Sequence, residues 1–168
     1  MKTLILGGAR SGKTALALSE AAKSGLECVY IATGAAGDAE MAARIANHRA
    51  ERGPLWQTIE EPVDLAGVLV AQSRPDRALL VDCLTLWLSN IILAEMEVSL
   101  MGEALAQALA VLPGSIFMVS NEVGLGIVPD NALARRFRDE QGRLNQRIAS
   151  LCDRVVFVAA GLPLVLKG

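Results

Sequence analysis

The segment Gly7-Gly8-Ala9-Arg10-Ser11-Gly12-Lys13-Thr14 restricts this chain more than any other, because it satisfies G-x-x-x-x-G-K-[ST]. An aliphatic run, Thr3–Leu6, leads into it, and a helical run, Lys13–Lys23, leads out. Each fixed position has a physical reason. Glycines let the backbone curl until successive N–H groups face inward, and the helix start adds its positive end, which makes a cradle for phosphate oxygens. Lys13 then reaches the β- and γ-phosphates, while the Thr14 hydroxyl is suited to ligate Mg²⁺. A strand, a glycine turn and a helix in that order define an α/β nucleotide-binding fold of the P-loop class.

The remainder agrees with this, alternating short aliphatic runs with longer periodic ones, as a mostly parallel sheet flanked by helices requires. Strands are expected at Thr3–Leu6, Cys28–Ala32, Leu79–Asp82, Ser115–Ser120 and Val155–Ala159, with weaker signals at Trp56–Glu60 and Leu164–Lys167. Helices are expected at Lys13–Lys23, Asp38–Arg49, Val63–Gln72, Leu84–Ala94, Leu100–Leu112 and Asn131–Asp153. In the last, Leu133, Phe137, Leu144, Ile148 and Leu151 share one stripe at helical spacing. Glycine or proline marks loops at Gly34–Gly37, Arg52–Pro54 and Gly124–Pro129. With no repeat or linker composition, residues 1–168 read as a single P-loop nucleotide-binding domain.

Composition narrows the function classes. Apolar residues make up 52% and aromatics only 4%, so the core must be built from Ala, Leu, Val and Ile. So aliphatic a chain is expected to bury part of its surface in an oligomer. A net charge of −2 supplies no basic field for nucleic acid or an anionic membrane. The longest apolar stretch, Val155–Leu166, is broken by Gly161 and Pro163 and is too short to span a bilayer. No signal-peptide pattern follows the first residues, and Cys28, Cys83 and Cys152 are odd in number and widely spaced. These features suggest buried free thiols in a reducing, cytoplasmic compartment.

Two further positions carry chemistry, each with two roles open. Leu79-Leu80-Val81-Asp82 ends an apolar strand in an acid, which suits either a magnesium carboxylate or a cap for the helix at Leu84. His48, the chain's single histidine, shares a helical face with Met41, Arg44 and Ile45, and Arg49 and Arg52 follow. Those cations suit a triphosphate and would keep the imidazole neutral and nucleophilic. A partly buried histidine beside solvated arginines fits the same residues. Arg135, Arg136, Arg138, Arg143 and Arg147 mingle with Asp139 and Glu140 as an ion-paired helix face, and Trp56 and Trp87 suit packing.

Several segments taken together resemble the bifunctional adenosylcobinamide kinase / adenosylcobinamide-phosphate guanylyltransferases. They are Gly7–Lys13, Tyr30–Thr33, Glu40–Ile45, His48-Arg49, Trp56 with Thr58 and Glu60, and Ser120-Asn121-Glu122-Val123-Gly124-Leu125-Gly126-Ile127-Val128-Pro129. The tail from Leu133 through Asp139, then Gly142-Arg143 and Asn145–Arg147, continues the match. The resemblance implies a RecA-like P-loop fold, a homotrimer, and two reactions of cobalamin biosynthesis. ATP or GTP phosphorylates adenosylcobinamide, and GMP from GTP then passes through a histidine, here His48, to the cobinamide phosphate. It implies nucleotide contacts at Gly7, Gly8, Ala9, Arg10, Ser11, Gly12, Lys13 and Thr14, and at Ala32, Thr33, Gly34, Arg49, Ala50, Glu51, Arg52, Glu60 and Asp82. Lys13 acts with His48 in catalysis, and Thr14 and Asp82 hold Mg²⁺ directly or through water. Glu60 is suited to accept hydrogen bonds from guanine N1–H and its amino group. Alternatives are a small-molecule kinase without guanylyl transfer and a RecA-like ATPase module.

Overall fold

The computed structural model describes residues 1–34 and 56–168. The described strands are β1 (Lys2–Gly7), β2 (Glu27–Ala32), β3 (Trp56–Glu60), β4 (Arg77–Asp82), β5 (Ser115–Asn121), β6 (Arg154–Ala159) and β7 (Leu162–Lys167). They form one sheet in the order β3-β2-β4-β5-β1-β6-β7, parallel throughout except for β7, which runs antiparallel to β6. The described helices are α1 (Lys13–Lys23), α2 (Leu65–Gln72), α3 (Leu84–Leu93), α4 (Val98–Val111) and α5 (Ala132–Leu151). The expected helix Asp38–Arg49 and the loop Arg52–Pro54 lie outside the described residues.

Alternation along each strand divides the core into two layers. Leu4, Leu6, Val29, Ile31, Val81 and Met118 pack with α2, α3, α4 and α5. Ile5, Tyr30, Leu80, Phe117 and Val119 face the other way, where Ala17 and Ala21 of α1 close over them. Helices cover both faces, so the inner strands are aliphatic throughout and do not alternate with polar residues. The core is aliphatic as expected, with Trp87 and Phe117 its largest fully buried side chains.

Local hydrogen bonds shift some boundaries. α2 begins at Leu65, two residues later than hydropathy suggests, because the Gly67 amide donates to the Asp64 carboxylate and makes Asp64 the cap. The Val63 carbonyl, outside the helix, accepts from the Trp87 indole at 2.7 Å. α5 is capped by Asn131, whose Oδ1 accepts from the Ala134 amide at 2.7 Å. Its inward stripe carries Leu144 and Ile148, as periodicity indicates, but also the buried Gln141 and Asn145. Leu133 continues that stripe at the start of the helix, where it is exposed and lines an open groove with Ile92, Leu93 and Phe137.

Candidate active site

The parallel register brings the candidate residues to one edge of the sheet. Glu60 pairs with Ala32, Ala32 with Asp82 and Asp82 with Val119, while Gly7 pairs with Asn121 and Val158. β5 lies between the strand that leads into the glycine loop and the strand that ends in Asp82. These strand ends form the C-terminal edge of the sheet, the edge at which ligands of open α/β sheets bind.

The glycine loop is built around close approaches. A Cβ on Gly7 would stand 2.5 Å from both the Ser11 hydroxyl and the Val158 carbonyl, so no larger residue fits. Gly12 has φ +95, a left-handed conformation that α1 needs at its cap. The Ser11 amide donates to the Gly8 carbonyl, and the Gly161 amide, from the β6–β7 turn, donates to the Ser11 carbonyl at 2.8 Å. α1 starts with no side-chain cap hydrogen bond, and a helix start presents backbone amides that suit phosphate oxygens. The buried Lys13 ammonium donates to the Gly8 carbonyl at 2.9 Å, which folds the side chain back over the loop.

Asp82 is not the cap of the next helix. Cys83 is, its Sγ accepting from the Leu86 amide at 3.5 Å. Burial first, then the charge of Asp82, push the Cys83 thiol up to about 11, so it caps as a neutral group and is no nucleophile. Asp82 Oδ2 instead accepts from the Tyr30 hydroxyl at 2.7 Å. The helix that carries Thr14, α1, packs against β4, the strand that Asp82 ends.

Thr33 has a supporting part. Its hydroxyl donates to the Cys83 carbonyl at 2.7 Å and accepts from the Cys83 amide at 2.8 Å, joining the ends of β2 and β4. The Asn90 amide clamps the carbonyls of Thr33 and Pro62, at 2.7 and 3.0 Å. Gly34 follows beside Leu86, and Glu60 is exposed at the end of β3. His48, Arg49, Ala50, Glu51 and Arg52 lie outside the described residues.

The end of β5 is pinned from both sides. Thr85 Oγ1 accepts from the Asn121 amide at 2.8 Å, and Asn145 Nδ2 donates to the Asn121 carbonyl at 3.1 Å. The Ser120 hydroxyl donates to Asn145 Oδ1 at 2.7 Å, and Gln141 Nε2 donates to both. The Glu122 amide then donates to the Gly7 carbonyl, which ties the glycine-rich Glu122–Pro129 loop to the cradle. Sequence reading missed Gln141 and Asn145 by counting charges on α5. The available signal was two amides four residues apart, between Phe137 and Ile148 on the same stripe. The arginines do pair outward: Arg138 with Asp139, Arg143 with Glu140 and Arg147 with Glu103. Trp56 meets Tyr30 edge to face, with centroids 6.3 Å apart.

Among the described residues, no helix is long and apolar enough to cross a membrane. The fold is that of RecA-like P-loop NTPases. It aligns with the flagellar accessory protein FlaH of Methanocaldococcus jannaschii at TM-score 0.55 and 12% identity, over 99% of this chain and 77% of that one. It aligns with the RadB recombinase at TM-score 0.50 and 18% identity, over 93% and 73%. At such identities the likeness speaks to fold alone. Closer relatives speak to chemistry. The chain is 56% identical to the bifunctional adenosylcobalamin biosynthesis protein CobP of Pseudomonas aeruginosa, covering 100% of this chain and 98% of that protein. It is 37% identical to the bifunctional adenosylcobalamin biosynthesis protein CobU of Salmonella typhimurium, covering 99% and 100%. Residues 3–166 match the family model described as cobinamide kinase / cobinamide phosphate guanyltransferase. A phosphate cradle on a RecA-like sheet, matched in sequence from end to end, makes this chain a member of the cobinamide kinase / cobinamide phosphate guanyltransferase family.

Proposed function

We propose that this chain phosphorylates adenosylcobinamide and then converts the product to adenosylcobinamide-GDP, with Lys13 serving phosphate transfer and His48 carrying the guanylyl group. The observation that supports it most is the glycine loop, with the buried Lys13 drawn over it and Asp82 on the same sheet edge.

In the kinase step the substrate hydroxyl oxygen attacks the γ-phosphorus of ATP or GTP, and the bond to the β-phosphate bridging oxygen breaks. This reaction is mostly positioning and charge stabilisation. The loop amides and Lys13 hold the phosphates and balance charge spreading over the moving group. Mg²⁺, held by Thr14 and Asp82 directly or through water, supplies further neutralisation when bound. In the second step a neutral His48 nitrogen attacks the α-phosphorus of GTP, and pyrophosphate leaves. An oxygen of the cobinamide phosphate then displaces the histidine from the same phosphorus, forming the diphosphate bond and restoring the imidazole. Nucleotide contacts extend to Ala32, Thr33, Gly34, Arg49, Ala50, Glu51, Arg52 and Glu60, with Glu60 accepting from guanine. Thr33 contributes by fixing the strand ends. We assign the enzyme to the cytoplasm and to a homotrimer.

Incubation with GTP labelled at the α-phosphate tests the histidine step. An acid-labile, alkali-stable protein adduct is expected, absent from His48→Ala. Unchanged labelling of that variant would remove His48 from the mechanism.

A further inference from the structure

Asp82 has a neighbour that no part of the mechanism above uses. Tyr30 stands on β2, next to β4, in register with Leu80. Because strand side chains alternate, Tyr30, Leu80 and Asp82 face the same side of the sheet, under α1. The ring is buried, with 4% of the residue exposed, and Trp56 meets it edge to face. From there the phenol reaches past Leu80, about 6.6 Å further along the strand direction, to the carboxylate at the sheet edge. The hydroxyl donates to Asp82 Oδ2 at 2.7 Å.

We propose that Tyr30 is a positioning residue for Asp82: its hydroxyl holds Oδ2 and so aims the rest of the carboxylate at the cation that accompanies the bound nucleotide. This rests on the reading of Asp82 as a magnesium carboxylate. A carboxylate offers about four acceptor sites on two oxygens, so one phenolic donor fixes its plane and leaves Oδ1 open toward a metal or its water. Without that donor the side chain can rotate about χ2, and the oxygen facing the cation is no longer fixed. Partners that orient a metal ligand typically change metal affinity by about 10- to 100-fold when removed.

The test is Mn²⁺ affinity, read by electron paramagnetic resonance on the full chain with a non-hydrolysable GTP analogue, beside analogue affinity in EDTA. Tyr30→Phe keeps the ring and its contact with Trp56. It is expected to weaken Mn²⁺ binding by about tenfold or more, with analogue affinity in EDTA within about twofold of wild type. In an Asp82→Asn background the same change is expected to have less than about a twofold effect, since the hydroxyl acts through that carboxylate. Trp56→Phe, which disturbs the ring but keeps the hydroxyl, separates packing from positioning and is expected to leave Mn²⁺ affinity unchanged. The proposal is overturned if Tyr30→Phe binds Mn²⁺ like wild type while Asp82→Asn does not. Equal weakening by Tyr30→Phe and Trp56→Phe would overturn it too. If Asp82→Asn itself binds Mn²⁺ like wild type, the magnesium role of Asp82 fails first, and the positioning role with it.

Discussion

Gly7 and Cys83 show two ways in which single positions are constrained at the C-terminal edge of the sheet. Gly7 is held to glycine by two close neighbours, Ser11 and the Val158 carbonyl, and any added Cβ must displace backbone. Cys83 is held by being a neutral cap next to a charge. Cys152, at the far end of α5, is the cleaner case for a pH test. Burial, the largest influence, raises its thiol from an ordinary value of 9.0 to about 12, with Lys167 opposing. A raised value means the unfolded chain ionises first as pH climbs. Its contribution to stability is therefore complete below pH 9 and is lost progressively up to about 12. The gap in urea midpoint between wild type and Cys152→Ala is expected to narrow from pH 8 to pH 11. A gap independent of pH would refute the assignment.

Among the elements, α5 shows what a sequence conveys and what it conceals. Its length and its Leu144 and Ile148 stripe follow from period and capping, and Asn131 caps where a helix start is expected. Gln141 and Asn145 are hidden from that reading, because an amide on an apolar stripe declares itself only when its tertiary partner is known. That partner is the end of β5, 21 to 25 residues away in sequence. Nucleotide-site legibility divides along the same line. The cradle is local, so Gly7–Thr14 could be read directly, and so could Asp82 at its strand end. The Tyr30–Asp82 bond and the Thr33–Cys83 staple each join residues about fifty apart, and neither has a local pattern. Asn145→Ala removes a buried donor to the Asn121 carbonyl and leaves Ser120 and Gln141 poorly satisfied. A loss of about 2–3 kcal/mol is expected. In a chain of this size that lowers Tm by about 5–10 °C. A shift below about 1 °C would show that the network carries little of the stability.

For the molecule as a whole, the sheet gathers the described candidate residues at one edge and leaves the β7 flank exposed. β7 is exposed along its length, and Leu162, Leu164, Val165 and Leu166 are all exposed apolar residues. Leu125, Ile127 and Val128 add an apolar surface on the loop tied to Gly7. Such surface suits association of copies. Sedimentation equilibrium is expected to give about three times the 17.7 kDa chain mass, and a single-chain mass at micromolar concentration would exclude the trimer.

The two proposed reactions can be separated by product. Adenosylcobinamide supplied with ATP and GTP is followed chromatographically for wild type, His48→Ala and Lys13→Met. Wild type is expected to proceed to adenosylcobinamide-GDP, His48→Ala to stop at adenosylcobinamide phosphate, and Lys13→Met to leave the substrate unchanged. Adenosylcobinamide-GDP formed by His48→Ala, or phosphorylation retained by Lys13→Met, would contradict the account.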